Sequence, residues 1–188
     1  MARIPYPEFA PDFDMPTPIY GSPHDATLLN VFRVLGHSPA LLTAVADIGH
    51  TQLTEGQLTD TERELVILAG GRCFGADYVW AQHEQLGARF GLSPDQLTAL
   101  HEQHHTADCF NGPQRDLLAF VSAVAATARV EDALFQRVRE HHGDRGIVEI
   151  IALIGVYFLV SRITTTLDVE IDSRELDSVL SAAGHPQD

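Results

Sequence analysis

The sequence predicts an all-α helical bundle, and three observations carry that expectation. Proline-led helix starts punctuate the chain, with Ser38-Pro39 and Ser93-Pro94 each offering a cap followed by proline at the first helical position, and Asn111-Gly112-Pro113 breaking the chain before another start. Apolar residues recur at helical spacing between these marks, as in Leu65, Leu68, Ala69 and in Leu117, Leu118, Val121, Val124. No segment alternates with period two between turn signals, so no sheet is expected.

Taken in order, residues 1–24 hold six of the ten prolines and read as an extended arm that drapes over a neighbour. Residues 25–188 read as one domain, a size at which a single core suffices. Helices are expected at 25–35, 39–51, 59–73, 76–90, 94–105, 113–127, 131–141, 144–167 and 172–183. Gly91 and Gly143 mark helix ends. The helix 144–167 is apolar nearly all round from Ile147 to Val160 and must be covered on every side. In a chain this small a second subunit is the expected source of cover, which predicts a homo-oligomer, either a dimer or a trimer of dimers.

Composition excludes several classes. The formal charge is −14, and the twelve basic residues are scattered arginines, so nucleic acid is not an expected partner. The chain has no lysine, which removes Schiff-base and pyridoxal phosphate chemistry and the Walker phosphate loop. Met1-Ala2-Arg3-Ile4-Pro5 offers no apolar signal core, and the uncharged apolar stretch Ile150–Ser161 is 12 residues against the roughly 20 of a membrane span. A cytoplasmic protein without a membrane partner is expected. Cys73 and Cys109 stand 36 positions apart (109 − 73) in no metal or disulfide pattern and read as reduced thiols.

The informative segment runs Leu58-Thr59-Asp60-Thr61-Glu62-Arg63-Glu64-Leu65 and continues through Cys73 to Ala76-Asp77-Tyr78-Val79-Trp80-Ala81-Gln82-His83. Helix 76–90 aligns Ala76, Trp80, His83, Gly87 and Phe90 on one stripe, so His83 faces inward beside an indole, and Gly87 one turn on leaves room next to the imidazole. A histidine on an apolar face is more often a satisfied core residue than a catalyst, and both alternatives stand on this feature alone.

The Glu-Arg-Glu-Leu run, the Tyr-x-Trp-x-x-His run and Gly91-Leu92-Ser93 resemble the core of the carboxymuconolactone decarboxylase and alkylhydroperoxidase D superfamily. Gly155-Val156-Tyr157-Phe158 with Ser161-Arg162 resembles its last core helix. In the peroxidase branch a glutamate is followed by Cys-x-x-Cys-x-x-x-His, and the matching positions here are Glu64, Ala76, Val79 and His83. Glutamate and histidine are kept and both cysteines are gone, so the resemblance implies the branch without the cysteine pair. It implies a carboxy-lyase or isomerase, free of metal and cofactor, acting on a small unsaturated or lactone carboxylic acid as in aromatic compound catabolism. His83 would be proton donor or relay and Glu64 its partner, the two meeting across antiparallel helices at a common cavity. Tyr78 and Trp80 would shape the pocket, and Arg72 or Arg162 would hold a substrate carboxylate. Two alternatives remain: an alkylhydroperoxidase-like redox enzyme working through Cys73 without a resolving partner, and a non-catalytic protein that binds a ligand or only assembles.

Two further motifs compete. His101-Glu102-Gln103-His104-His105 is a formal H-E-x-x-H that Cys109 could extend as a third ligand, but it sits at a polar helix end without the continuation that zinc hydrolases add, and no metal site is assigned there. His141-His142 reads as a helix end, where imidazolium suits the dipole.

Overall fold

A computed structural model describes residues 1–15, 21–22, 24 and 28–172, and every regular element among them is helical. The helices are α1 (Asn30–Leu35), α2 (Pro39–Thr54), α3 (Asp60–Cys73), α4 (Asp77–Arg89), α5 (Pro94–His101), α6 (Gly112–Thr127) and α7 (Asp132–Thr166). The chain falls into two compact units, one of Met1–Thr54 with the residues from Ile163 onward, the other of Glu55–Arg162.

In the first unit the proline-rich arm lies on its own chain. The Arg3 amide donates to the Leu167 carbonyl at 2.8 Å, and the Ala2 amide and the Tyr6 hydroxyl donate to the Glu170 carboxylate at 2.9 and 2.5 Å. Burial and the Glu170 carboxylate push the Tyr6 phenol up to about 12. The arm therefore finds its neighbour within the chain, where the sequence left the neighbour open. Of the expected helix 25–35, α1 begins at Asn30 and residues 25–27 lie outside the described ones, as do residues 173–183 of the expected last helix.

The second unit is built around α3. Its start is a capping box: the Thr59 side chain accepts from the Glu62 amide while the Glu62 carboxylate accepts from the Thr59 amide. Every residue from Arg63 to Gly71 is buried, so α3 is a central helix covered on all sides and not the one-stripe helix its leucine spacing suggests. Its cover comes from α4, α5, α6 and the buried face of α7 formed by Ile147, Ile150, Leu153 and Ile154. Capping boxes at Ser93/Gln96 and Asn111/Gln114 open α5 and α6.

One boundary differs from expectation and another matches it. Helix α5 stops at His101, because Gln103 turns into the left-handed region (φ 59°) and the His104 amide reaches back to the Ala99 carbonyl at 2.8 Å, a Schellman closure built without glycine. The expected pair 131–141 and 144–167 is present as the two halves of α7, separated at Gly143, whose φ of 67° and ψ of 178° are not helical. Among the described residues the second half of α7 is not covered on every side: Val148, Ile151 and Phe158 are 67%, 43% and 47% exposed.

Candidate active site

Glu64 sits two residues beyond the capping-box glutamate of α3, in a helix whose apolar neighbours shut it from water; it is 2% exposed. The chain then turns at Phe74-Gly75-Ala76, where Gly75 takes φ 65°, and α4 returns against α3. The approach is close because Gly71 has no side chain: a Cβ there would stand 2.9 Å from the Cγ1 of Val79. His83, in the second turn of α4, comes to lie across from Glu64.

The two meet directly. Nδ1 of His83 is 2.9 Å from Oε2 of Glu64, and Nε2 is 3.0 Å from the hydroxyl of Tyr157 on α7, whose ring stands edge-on to the imidazole at 5.2 Å between centroids. A carboxylate oxygen can only accept, which assigns the ring proton to Nδ1; Nε2 then accepts from the phenol. The three groups form one line of hydrogen bonds, phenol to imidazole to carboxylate. The second oxygen of Glu64 faces a cation: Nε of Arg63 is 3.9 Å away, and Arg63 is itself buried and bonded to Asp60 at 2.7 Å.

Tyr157 and Arg63 are the members that sequence reasoning passed over. Tyr157 was one letter in an apolar run; its signal was that a phenol on a core-facing helix needs a hydrogen-bond partner. Arg63 stood only as one letter of the Glu-Arg-Glu-Leu run with no role given to it, although the fully apolar Leu-Val-Ile-Leu-Ala that begins two residues on points to a helix buried on all sides.

The other expected site residues go elsewhere. Gly87 leaves no gap beside the imidazole: a Cβ there would meet Leu68 at 2.9 Å, Leu92 at 3.0 Å and Leu97 at 3.4 Å, so the missing side chain is space already filled by leucines. Trp80 packs edge-on against the His101 ring at 4.9 Å, with the Arg72 guanidinium 5.8 Å from the indole. Arg72 donates to the His101 carbonyl and to Asp77, and Arg162 donates to the Phe74 carbonyl while lying over Phe158. Both arginines thus satisfy carbonyls at helix ends, which is the structural use of arginine in place of the carboxylate-holding one. Tyr78 is buried, and five residues of helix set it about 140° round α4 from His83.

Cys73 lines a cavity of about 340 Å³ together with Gln103, His105, Ser122, Ala125 and Ala126, a cavity whose lining does not include His83 or Glu64. Burial pushes the Cys73 thiol up, against the opposing effect of a hydrogen bond with Ser122. Ala76 and Val79, the positions matching the peroxidase cysteines, are 0% and 1% exposed core residues. In the H-E-x-x-H run, the early stop of α5 puts His101 and His105 off any shared helix face; the His105 Nδ1 pairs with the Ser122 hydroxyl at 2.8 Å.

Residues 39–123 match the model of the carboxymuconolactone decarboxylase family. Among solved structures the chain is similar to an uncharacterised peroxidase-related protein with an alkylhydroperoxidase AhpD core from Ralstonia eutropha JMP134 (TM-score 0.75, 23% identity, 97% of this chain and 96% of that one). It is also similar to an uncharacterised peroxidase-related protein from Silicibacter sp. TM1040 (TM-score 0.68, 21% identity, 78% of each chain). A third likeness is to a cysteine-to-alanine variant of the debrominase Bmp8 in complex with 2,3,4-tribromopyrrole (TM-score 0.67, 18% identity, 84% of this chain and 82% of that one). No curated protein matches the chain. At these identities the solved structures establish the fold.

Proposed function

We propose that the chain, whose residues 39–123 match the carboxymuconolactone decarboxylase family, is an acid–base enzyme of that superfamily, acting on a small unsaturated or lactone carboxylic acid by decarboxylation or isomerisation. The observation that carries the proposal is the line Tyr157–His83–Glu64. Decarboxylation breaks the C–C bond to the carboxylate, releases CO2 and leaves the electron pair as a dienolate, which needs a donor at the lactone oxygen and a proton at carbon. Glu64 orients the imidazole through Nδ1; the Tyr157 phenol gives its proton to the substrate carbon, and Nε2 of His83 takes one from solvent and returns it to the phenolate, so the one proton that decarboxylation consumes comes from water. Arg63 positions Glu64. Isomerisation uses the same groups to remove a proton at one carbon and return it at another.

Redox chemistry through Cys73 is the less supported alternative, because a thiol pushed up by burial yields less of the thiolate that attacks a peroxide. A purely binding or assembling protein has no need of a carboxylate–imidazole–phenol line.

The test is His83→Gln assayed on a panel of unsaturated lactone acids. Loss of about a hundredfold or more in kcat/KM is expected, the usual scale for a lost general acid or base; an unchanged rate on an accepted substrate refutes the assignment.

We also propose that a second copy of the chain covers the exposed apolar stripe of Val148, Ile151 and Phe158. An 18-residue window of α7 is apolar enough to cross a membrane, at a mean hydropathy of 2.0. Yet the opposite face of the same helix, Ile147, Ile150, Leu153 and Ile154, is committed to the core, so only a stripe is left for a partner. Light scattering should give a multiple of 20.6 kDa at micromolar concentration, and a monomer overturns the proposal.

A further inference from the structure

The end of the first half of α7 carries two histidines that meet a carboxylate from another helix. Nε2 of His141 is 3.9 Å, and Nδ1 of His142 4.0 Å, from the same atom, Oε1 of Glu62. The three ligand atoms all lie within 4.8 Å of one another. This cluster shares no residue with the line through His83.

Its geometry is close to a coordination shell. Zinc bonds of about 2.0–2.1 Å in tetrahedral array set ligand atoms about 3.3 Å apart. The closure needed is then about 0.6 Å towards Glu62 and at most about 1.5 Å between the histidines, within reach of small side-chain rotations. Glu62 is already aimed. Its other oxygen, Oε2, accepts from the Thr59 amide at 2.9 Å and the Thr59 hydroxyl at 2.8 Å, so the capping box holds Oε1 towards the two rings. That is the outer-shell support which metal-ligating carboxylates need. Gln57 braces the other side: its side-chain amide donates to the His142 carbonyl, and its backbone amide donates to the Glu149 carboxylate. The helix before Gly143 also ends here, and the negative end of its dipole favours a cation.

We propose that Glu62, His141 and His142 form a binding site for a divalent transition metal ion of the zinc class. The fourth position is left to water, on the side where the His141 side chain is 50% exposed. Two imidazoles and one carboxylate suit such an ion better than they suit magnesium or calcium, which prefer all-oxygen shells. The bound ion ties the first turn of α3 to the break in α7.

The test uses the full chain, stripped with chelator and titrated with zinc by calorimetry, with cobalt(II) absorption as a report on tetrahedral ligation. Glu62→Gln keeps the capping box, which glutamine also satisfies, and removes the charge; His141→Ala removes a half-exposed ring. The expected result is one ion per chain with micromolar or tighter affinity and a higher melting temperature with zinc. Each variant should weaken binding at least about tenfold while melting near the zinc-free parent. The double variant of His101→Ala and His104→Ala should bind as the parent does. Unaltered binding in Glu62→Gln and His141→Ala, binding lost in the His101/His104 double variant, or no saturable binding in the micromolar range would each overturn the site.

Discussion

Glu64→Gln separates what the buried carboxylate does for the fold from what it does for the chemistry. Glutamine keeps the shape and leaves an amide oxygen to accept from Nδ1 of His83, so the hydrogen bond at 2.9 Å survives in neutral form. Charge-assisted bonds are about twice as strong as neutral ones, which puts this loss near 1 kcal/mol. Arg63 loses a second carboxylate. Stripping a buried cation of its only partner costs about 3–5 kcal/mol, but Arg63 retains Asp60 at 2.7 Å, and the Glu64 contact at 3.9 Å is the looser of the two. A further loss of about 1 kcal/mol is reasonable for it. Together these come to about 2 kcal/mol, or a melting temperature lower by about 4–8 °C for a chain of this length. The rate should fall by at least about tenfold, since the imidazole loses the carboxylate that anchors its Nδ1 side. Circular dichroism melts and turnover on the same preparation check both numbers. An unchanged rate beside a lowered melting temperature would make Glu64 a structural residue only; an unchanged or raised melting temperature would refute the energetics of the buried cluster.

Two further outcomes follow from packing and from the thiol. Gly87→Ala should destabilise by about 1 kcal/mol, because a Cβ 2.9 Å from Leu68 and 3.0 Å from Leu92 costs about 1–3 kcal/mol of overpacking against about 1 kcal/mol of helix propensity gained; a thermal melt that rises instead would restore a gap beside the site. Cys73 should react with iodoacetamide at pH 8 more slowly than a free cysteine, since burial raises its thiol, and Ser122→Ala should slow it again by removing the hydrogen bond that lowers it; faster alkylation in either case would contradict the buried setting.

Much of the helical order was legible because local chemistry sets helix starts. Proline and cap residues placed α2, α5 and α6 within a residue of Pro39, Pro94 and Gly112. The stop of α5 was not legible, because Gln103 occupies the left-handed position usually given to glycine or asparagine, and only the surrounding fold makes that conformation worth its cost. Glu64 and His83 were legible through the resemblance, their spacing then fitting two antiparallel helices. Trp80 and Arg72 were misplaced for a different reason. Stripe arguments give the face of a helix that is buried, but not which neighbour fills it, and here the end of α5 rather than the imidazole meets the indole. Tyr157 was hidden because a window of apolar letters says only that a helix is covered, while the partner of its one phenol lies 74 residues away.

The pattern of what replaces the cysteines favours proton transfer over sulfur chemistry. Ala76 and Val79 are not vacancies in the site but members of the core, with Val79 seated against the bare backbone of Gly71. A thiol restored at position 79 would have to be accommodated in that packing, and so would the disulfide it must form. The carboxylate and the imidazole stay paired at hydrogen-bond distance without any sulfur beside them, and the free ring nitrogen is taken by the Tyr157 phenol. Keeping a carboxylate buried beside an arginine is costly when nothing uses it, and an apolar pair of similar volume would fill the same space at less cost. A glutamate held this way, bonded to a histidine that is bonded to a tyrosine, is the arrangement expected when the chain must move a proton and no longer an electron pair on sulfur.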